Sequence, residues 1–329
     1  MIPVVLAVVQ WPVWAGFLAF VAAMLALDLG VFHRKAHAIS LREAAVWSAV
    51  WIGLAGVFAA GVFWFGGPRL GMEFTTGYLI EKALSIDNIF VMVILFGAFG
   101  VPAHQQHRVL FWGIIGALVM RAIFIFAGTA LIARFHWTVY VFGAFLVITG
   151  IRMLRSTGQQ AHPEDSAAIR LTRRVLPVTT GQEGSERFFV RVDGRRMVTP
   201  LFLALVAVEL TDLIFAVDSI PAIFAVTQDT FIVFTSNVFA VLGLRALYFA
   251  LAGLVHRFHY LKYGLALVLV VIGIKMLIAD IYHLPTWLAL AITGLLIGGS
   301  VAISLLRPTE EPVSRGWVPG SAGKPKQEE

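Results

Sequence analysis

Nine apolar stretches dominate the sequence, and each is about as long as a membrane is thick. A helix needs about 20 mainly apolar residues to cross the hydrocarbon core of a bilayer, and 59% of the residues are hydrophobic while only 13% are charged. An open segment inside a bilayer satisfies its backbone hydrogen bonds only as a helix. We therefore predict an all-α polytopic membrane protein with about nine transmembrane helices. The predicted spans are residues 9–31, 46–66, 74–99, 108–132, 137–154, 199–226, 230–254, 261–279 and 285–306.

Lysine and arginine residues lie mainly in alternate loops between these spans. Eight arginines fall between the fifth and sixth spans, whereas the loops on the opposite side hold only Arg69 and Arg134. Since basic loops stay in the cytoplasm, we expect the N-terminus outside and the C-terminus in the cytoplasm, in a bacterial inner membrane. This topology explains the net charge of +6 without a nucleic-acid partner. The expected partners are the lipid bilayer and a transported ion.

The segment 155–198 is the one long polar connection. It ends ERFFVRVDGRRMVT, in which the alternation around Asp193 and Gly194 predicts a small cytoplasmic β-hairpin. Its arginines either contact anionic lipid headgroups or simply hold the connector in the cytoplasm, and the second interpretation is favoured. The C-terminal tail is rich in proline, glycine and charge, so we expect it to be disordered.

A weak internal repeat relates the third, fourth and fifth spans to the sixth, seventh and eighth. EKALSIDNIF aligns with DLIFAVDSIP, ALVMRAIF with VLGLRALY, and FGAFLVITGIRML with GLALVLVVIGIKML. Each unit has three spans and the connector begins and ends in the cytoplasm, so the second unit should be inverted, as in many secondary transporters. The expected units are two N-terminal helices (1–72), the first repeat (73–154), the connector (155–198), the inverted second repeat (199–280), and the last helix with the tail (281–329).

Six carboxylates within the predicted spans are the chief candidates for function, because an ionised side chain at the bilayer centre costs about 2.5–3.5 kcal/mol. Three deep basic residues, Lys82, Arg121 and Arg245, are expected to act as structural counter-charges, which leaves three of the six acids uncompensated. Either the acids only pair helices, or they bind a cation, protons or both, and the ion pathway is favoured. The acids are Asp28, Glu81, Asp87, Glu209, Asp212 and Asp218. Asp28 is expected to cap the first loop rather than to join the pathway.

The ligands available at this depth are oxygen atoms. Pro221 cannot donate to the carbonyl of Val217, which frees that oxygen next to Asp218. Cysteine is absent, and the nine histidines lie in loops or at span ends. Such a set suits Mn²⁺, Mg²⁺ or Ca²⁺ better than Cu(I) or Zn²⁺. The predicted metal ligands are Asp87 and Asp218 at the centre, followed by Glu81, Asp212, Glu209, Asn88 and Asn237.

Six motifs spread between about residues 10 and 306 carry a resemblance to a known family. They read DLGVFHR, LREAAVWSAVW, EKALSIDNIFV, QHRVLFWGIIGALVMRAIFI, ELTDLIFAVDSIPAIFAVT and FTSNVFAVLGLRALYF. These motifs resemble the bacterial TerC/Alx family of integral membrane proteins, which is grouped with LysE-type exporters and associated with tellurium resistance, redox modulation and manganese export. The resemblance implies an inner-membrane Mn²⁺ exporter. Its transport-site acids would match Glu81, Asp87, Glu209, Asp212 and Asp218.

The sequence therefore favours secondary export of a divalent cation, with Mn²⁺ first, by alternating access of the two repeats. No GxxxxGK[ST] motif is present, so the energy should come from an ion gradient, with protons as a candidate coupling ion. An intramembrane aspartyl hydrolase is disfavoured, because the flanks LSID and FAVD lack the GxGD pattern of such enzymes. We therefore expect no enzymatic activity. No resident cofactor is expected either. The alternative is a non-transporting partner in tellurite resistance or in the metalation of exported enzymes. The coupling stoichiometry and the oligomeric state stay open.

Overall fold

The computed structural model describes residues 11–32, 41–135, 137–155, 187–192, 195–252, 260–281 and 285–306, and these ranges are mostly helical. Nine helices and one two-stranded sheet lie in the described ranges. In chain order the helices are α1 (Trp11–Phe32), α2 (Leu41–Ala98), α3 (Ala103–Arg134), α4 (Thr138–Arg155), α5 (Pro200–Phe224), α6 (Thr230–Leu242), α7 (Leu244–Leu251), α8 (Leu261–Leu277) and α9 (Thr286–Leu306).

Each predicted span coincides with a helix, with part of one or, for the span 230–254, with two consecutive helices, which confirms the all-α class. The second and third spans form the two halves of α2, and the break between them is at Gly67, whose φ of 86° and ψ of 170° are non-helical. Glycine adopts such a positive φ readily, and Pro68 then occupies a favoured position at the start of the second half. By length and composition, five helices can each cross a membrane, with α2 counted once, and the pair α6–α7 gives a sixth.

The seventh predicted span, 230–254, is a broken helix. Asp229 caps the start of α6 by accepting hydrogen bonds from the backbone N–H groups of Phe231 and Ile232. Helix α6 ends at Leu242, and α7 continues after Gly243 with a bend of 41°. Only as a pair do α6 and α7 reach the length and hydropathy of a membrane span, and such a bent pair is either one broken span or a re-entrant loop.

Aromatic side chains fix α6 at the centre of the molecule. The ring of Phe239 lies 4.8 Å from that of Phe58 on α2, and Phe231 lies 5.1 Å from Trp14 on α1. Every residue of α6 from Phe231 to Leu242 is buried. The polar side chains of this stretch, Asn237 among them, therefore lie inside the bundle rather than in lipid.

The predicted hairpin is present. Strands β1 (Phe189–Val192) and β2 (Arg195–Val198) pair antiparallel, with Val192 opposite Arg195. The ring of Phe189 packs 4.9 Å from that of Phe202 on α5, and Arg108 on α3 lies over the ring of Phe188. The hairpin is thus held against the starts of α3 and α5. The rest of the connector and the C-terminal tail lie outside the described residues.

Helices α4 and α8 pack closely through small residues and run antiparallel. A Cβ atom on Gly143 would come within 3.0 Å of the carbonyl of Gly273, and one on Gly150 within 2.7 Å of the carbonyl of Ala266. The repeat aligns Gly143 with Ala266 and Gly150 with Gly273. Replacing both residues of the Gly143–Gly273 contact by their aligned residues therefore gives the Gly150–Ala266 contact. A two-fold axis between inverted units would produce this arrangement. The inverted repeat stays a prediction, which this packing supports.

The crossing of α4 and α8 yields a test of stability. A Cβ on Gly273 would lie 2.7 Å from the backbone carbonyl of Gly143, which has little freedom to move. We therefore expect Gly273→Ala to destabilise the protein by about 1–3 kcal/mol, measured as a lower midpoint of thermal unfolding in detergent. Gly53→Ala, where nothing lies within 4 Å of the new Cβ, is the matched control and should be neutral or slightly stabilising. Equal midpoints for the two variants would contradict the close crossing.

Candidate functional site

A buried arginine on α3 holds three other helices together. The side chain of Arg121 is only 2% exposed. Its Nε and Nη2 donate to the two carboxylate oxygens of Asp212 on α5, at 3.1 and 3.0 Å. Its Nη1 donates to Glu81 Oε1 on α2 and, at 3.2 Å, to Asn237 Oδ1 on α6. One guanidinium therefore joins α2, α5 and α6 with charge-assisted hydrogen bonds.

Several oxygen acceptors around this arginine have no hydrogen-bond partner among the described residues. The amide of Asn88 donates to Asp212 Oδ1 at 3.2 Å, which leaves its own Oδ1 facing no donor. Glu81 Oε2 and Glu209 Oε2 are also buried without a partner there. Buried polar atoms in native proteins are nearly always satisfied by protein, water or an ion. These three acceptors, and the donor Nδ2 of Asn237, are therefore open to partners that the described residues do not supply.

Glu209 reaches this region because α3 carries a glycine opposite it. Glu209 lies three residues before Asp212 on α5, so the two side chains share a helix face. A Cβ atom at Gly116 would come within 2.0 Å of Glu209 Oε1. The carboxylate thus lies directly against the backbone of α3, in the space that glycine leaves.

A small cavity between α2, α3, α5 and α7 ends at Asp212. Its walls are otherwise apolar, with Met92, Ile114, Val208 and Leu244 among them, and it has space for about one water molecule. Asp212 is the only charged side chain among its lining residues. A water molecule or a small dehydrated ion in this cavity would touch the same carboxylate that binds Arg121.

The structure brings some of the predicted site residues together and leaves others apart. Glu81, Asn88, Asp212 and Asn237 surround Arg121, and Glu209 lies beside them. Arg245 is buried on α7 at 2% exposure, and Lys82 contacts the backbone of α6.

The remaining predicted acids, Asp28, Asp87 and Asp218, lie on α1, α2 and α5, and their side chains are outside the described residues. Among the described side chains no group of three or more histidine, aspartate or glutamate residues is arranged to hold a metal. The metal-binding role therefore stays a prediction.

Glu73 is a buried acid that the sequence analysis missed. It is 6% exposed and its Oε1 accepts from Arg69 Nε at 3.2 Å, while its Oε2 has no partner among the described residues. The third predicted span began at residue 74, which placed Glu73 in a loop, but the second half of α2 begins at Pro68. A proline six residues before the predicted start was the signal that the helix begins earlier.

Comparison with known proteins gives a consistent result. The family model described as "Integral membrane protein TerC family" matches residues 66–311. An uncharacterized membrane protein of Myxococcus xanthus is 55% identical over 306 residues, which cover 93% of this chain and 96% of the relative. A relative in Escherichia coli K12 that carries the name membrane-bound redox modulator Alx is 50% identical over 294 residues, 86% of this chain and 91% of its own. No solved structure gives a significant match.

The arginine cluster predicts a strong and non-additive effect on stability. Removing one partner of a buried ion pair costs about 3–5 kcal/mol, because the other charge stays buried and unpaired. We expect Arg121→Met to lower the thermal unfolding midpoint sharply, and the triple variant Glu81→Gln, Arg121→Met, Asp212→Asn to recover most of that loss.

The matched control for Arg121→Met is Arg134→Met on the same helix. Arg134 is exposed in the last turn of α3, and substitutions at such surface positions usually change stability by no more than about 0.5 kcal/mol. Losses that simply add up in the triple variant would contradict the coupling among Arg121, Glu81 and Asp212.

Proposed function

Because the chain belongs to the TerC family of integral membrane proteins, we propose that it is a secondary transporter that exports a divalent cation, with Mn²⁺ as the leading substrate. The observation that carries the proposal is the buried cluster of acids around Arg121. Ionisable groups at membrane depth are expensive to bury and mark ion pathways in transport proteins. The resemblance to the family selects Mn²⁺ among the cations that oxygen ligands favour.

The charge of the cluster suits a divalent cation. Glu81, Glu209 and Asp212 supply three negative charges when ionised, and Arg121 supplies one positive charge, so the described cluster carries a formal charge of −2. The partnerless oxygens belong to carboxylate and amide groups, which are the ligands of Mn²⁺, Mg²⁺ and Ca²⁺. A bound M²⁺ ion would neutralise the cluster and supply the missing partner for these oxygens.

Arg121 would compete with the cation for the same acids. In the structure its guanidinium binds both oxygens of Asp212 and one oxygen of Glu81. An arriving cation draws these carboxylates away from the arginine, and a departing cation returns them to it. The acids are therefore never left buried without a counter-charge. Because Arg121 joins α2, α5 and α6, this exchange would also change how the two repeats contact each other, as alternating access requires.

Asp87 and Asp218 complete the proposed pathway. They lie on the same two helices as Glu81 and Asp212, six residues further along the chain in each case. We assign them as the central ligands, with Glu209 as a further ligand or a proton carrier. The predicted topology places the N-terminus outside and the C-terminus in the cytoplasm of a bacterial inner membrane, and an ion gradient would drive the cation outwards across it. The chain has no cysteine, so dithiol redox chemistry of its own is excluded.

Mn²⁺ efflux from bacterial cells that lack their own manganese exporters tests the proposal. We expect the wild-type chain to lower cellular manganese, and Asp87→Asn, Asp218→Asn, Glu81→Gln and Asp212→Asn to abolish this effect at equal membrane expression. Asp280→Asn is the control, because Asp280 is exposed beyond the end of α8 and lies outside the cluster.

Two results would contradict the transport proposal. One is a wild-type chain that leaves cellular manganese unchanged. The other is a metal-resistance phenotype that survives all four neutral substitutions but is lost when residues 155–198 are deleted, since that would favour the non-transporting partner.

The glycine opposite Glu209 allows a test that changes no charge. Gly116→Ala places a methyl group where the Glu209 carboxylate lies, so it should displace that carboxylate and slow Mn²⁺ efflux by about tenfold, in the range seen when support for a metal ligand is lost. Gly56→Ala on α2 is the control, because nothing lies within 4 Å of the new Cβ. Glu209→Gln should reproduce the Gly116→Ala defect. Normal efflux in both would remove Glu209 from the pathway.

A further inference from the structure

The break between α6 and α7 presents backbone carbonyls inside the helix bundle. A helix that ends at Leu242 leaves its last four carbonyl groups without partners inside that helix, and Ala240 is one of these residues. The same end carries the negative pole of the helix dipole. Carbonyls at the ends of broken helices bind Na⁺ in secondary transporters of other folds.

A lysine already occupies this position. The Nζ of Lys82 on α2 donates a hydrogen bond to the carbonyl of Ala240 at 3.3 Å. Gly243, at the break, leaves the room for it, because a Cβ there would lie 3.0 Å from Lys82 Nζ and 3.0 Å from the Cβ of Trp51. Among the described side chains no carboxylate forms an ion pair with Lys82. The ammonium is thus positioned by the end of α6 rather than by an acid of the described set.

We propose that the Lys82 ammonium is a tethered cation in a site that would otherwise bind a free alkali cation. The lysine carries one positive charge and donates to carbonyl oxygen, which is the ligand that Na⁺ and K⁺ take from backbone. Since the charge is attached to α2, the contact between α2 and the α6–α7 break needs no free monovalent ion. This inference rests on the helix break and holds whether or not the chain exports Mn²⁺.

The proposal predicts that removing the lysine creates a dependence on monovalent cations. The purified full-length chain in detergent is heated in NaCl, KCl or choline chloride at equal ionic strength and equal pH. The wild-type midpoint should be the same in all three salts. The midpoint of Lys82→Ala should fall in choline and rise by roughly 2–5 °C in NaCl or KCl, as expected when a ligand binds only the folded state.

Two further variants separate a vacated site from a general effect of salt. Lys82→Met fills the space with an uncharged chain, so its midpoint should be low and equal in the three salts. Lys262→Ala removes a lysine whose ammonium lies over the ring of Tyr263, away from the break, and should behave as the wild type.

The proposal is overturned if Lys82→Ala responds to NaCl and KCl no more than the wild type does, or if Lys82→Met responds equally well. It is also overturned if Lys82→Ala cannot be recovered from membranes prepared in any of the three salts, because a free cation would then have failed to replace the ammonium. Mn²⁺ efflux by the wild-type chain is measured separately, so failure of the transport proposal leaves this result unaffected.

Discussion

The buried guanidinium of Arg121 is the interaction on which the arrangement of the helices depends. A charge at this depth cannot be left without partners, and Arg121 finds them on three different helices, through Asp212, Glu81 and Asn237. Each of these helices must therefore approach α3 at one height and with one face. Apolar packing in a membrane is a weak guide to such positions, because lipid tails are as apolar as leucine. Directional hydrogen bonds to a single arginine supply the specificity that hydrophobic contact alone does not.

Breaks in the helices provide the second constraint, because backbone groups inside a membrane must all find partners. The chain interrupts its helices where glycine permits it, at Gly67 within α2 and at Gly243 between α6 and α7. The first break lies beside the exposed Arg69, close to the end of a span, where water can satisfy the backbone. The second lies deep in the bundle, where the Lys82 ammonium satisfies a carbonyl. The depth of a break thus determines whether the protein itself must supply a partner for the freed carbonyls.

Much of this fold could be predicted from local features of the sequence, whereas the pairing within the site could not. Span lengths gave nearly all the helices, and Asp193-Gly194 between alternating residues gave the hairpin, because both signals are carried by neighbouring residues. The acids and the arginine were identified as buried charges for the same reason. Arg121 was predicted as a structural counter-charge to the acids without a choice of partner, and the structure pairs it with Glu81 and Asp212. Such pairing joins residues far apart in the chain, and no periodic pattern encodes it.

Two acids that occur in only one of the two predicted repeats bear on whether a transporter of this kind would favour its outward-facing or its inward-facing arrangement. A perfect inverted repeat would make the outward-facing and inward-facing arrangements equal in free energy, since exchanging the units converts one into the other. Here the predicted repeat aligns Glu81 with Asp212 and Asp87 with Asp218, so these acids occur in both units. The same alignment matches Glu209 with Tyr78 and Glu73 with Ala204, so these two acids occur in one unit only. Glu73 is buried and Glu209 is partly buried, and each has a buried oxygen without a partner among the described residues. In a transporter they would not give transport a direction, which only a gradient supplies. They would make the two arrangements unequal in free energy and so influence which one the empty protein adopts.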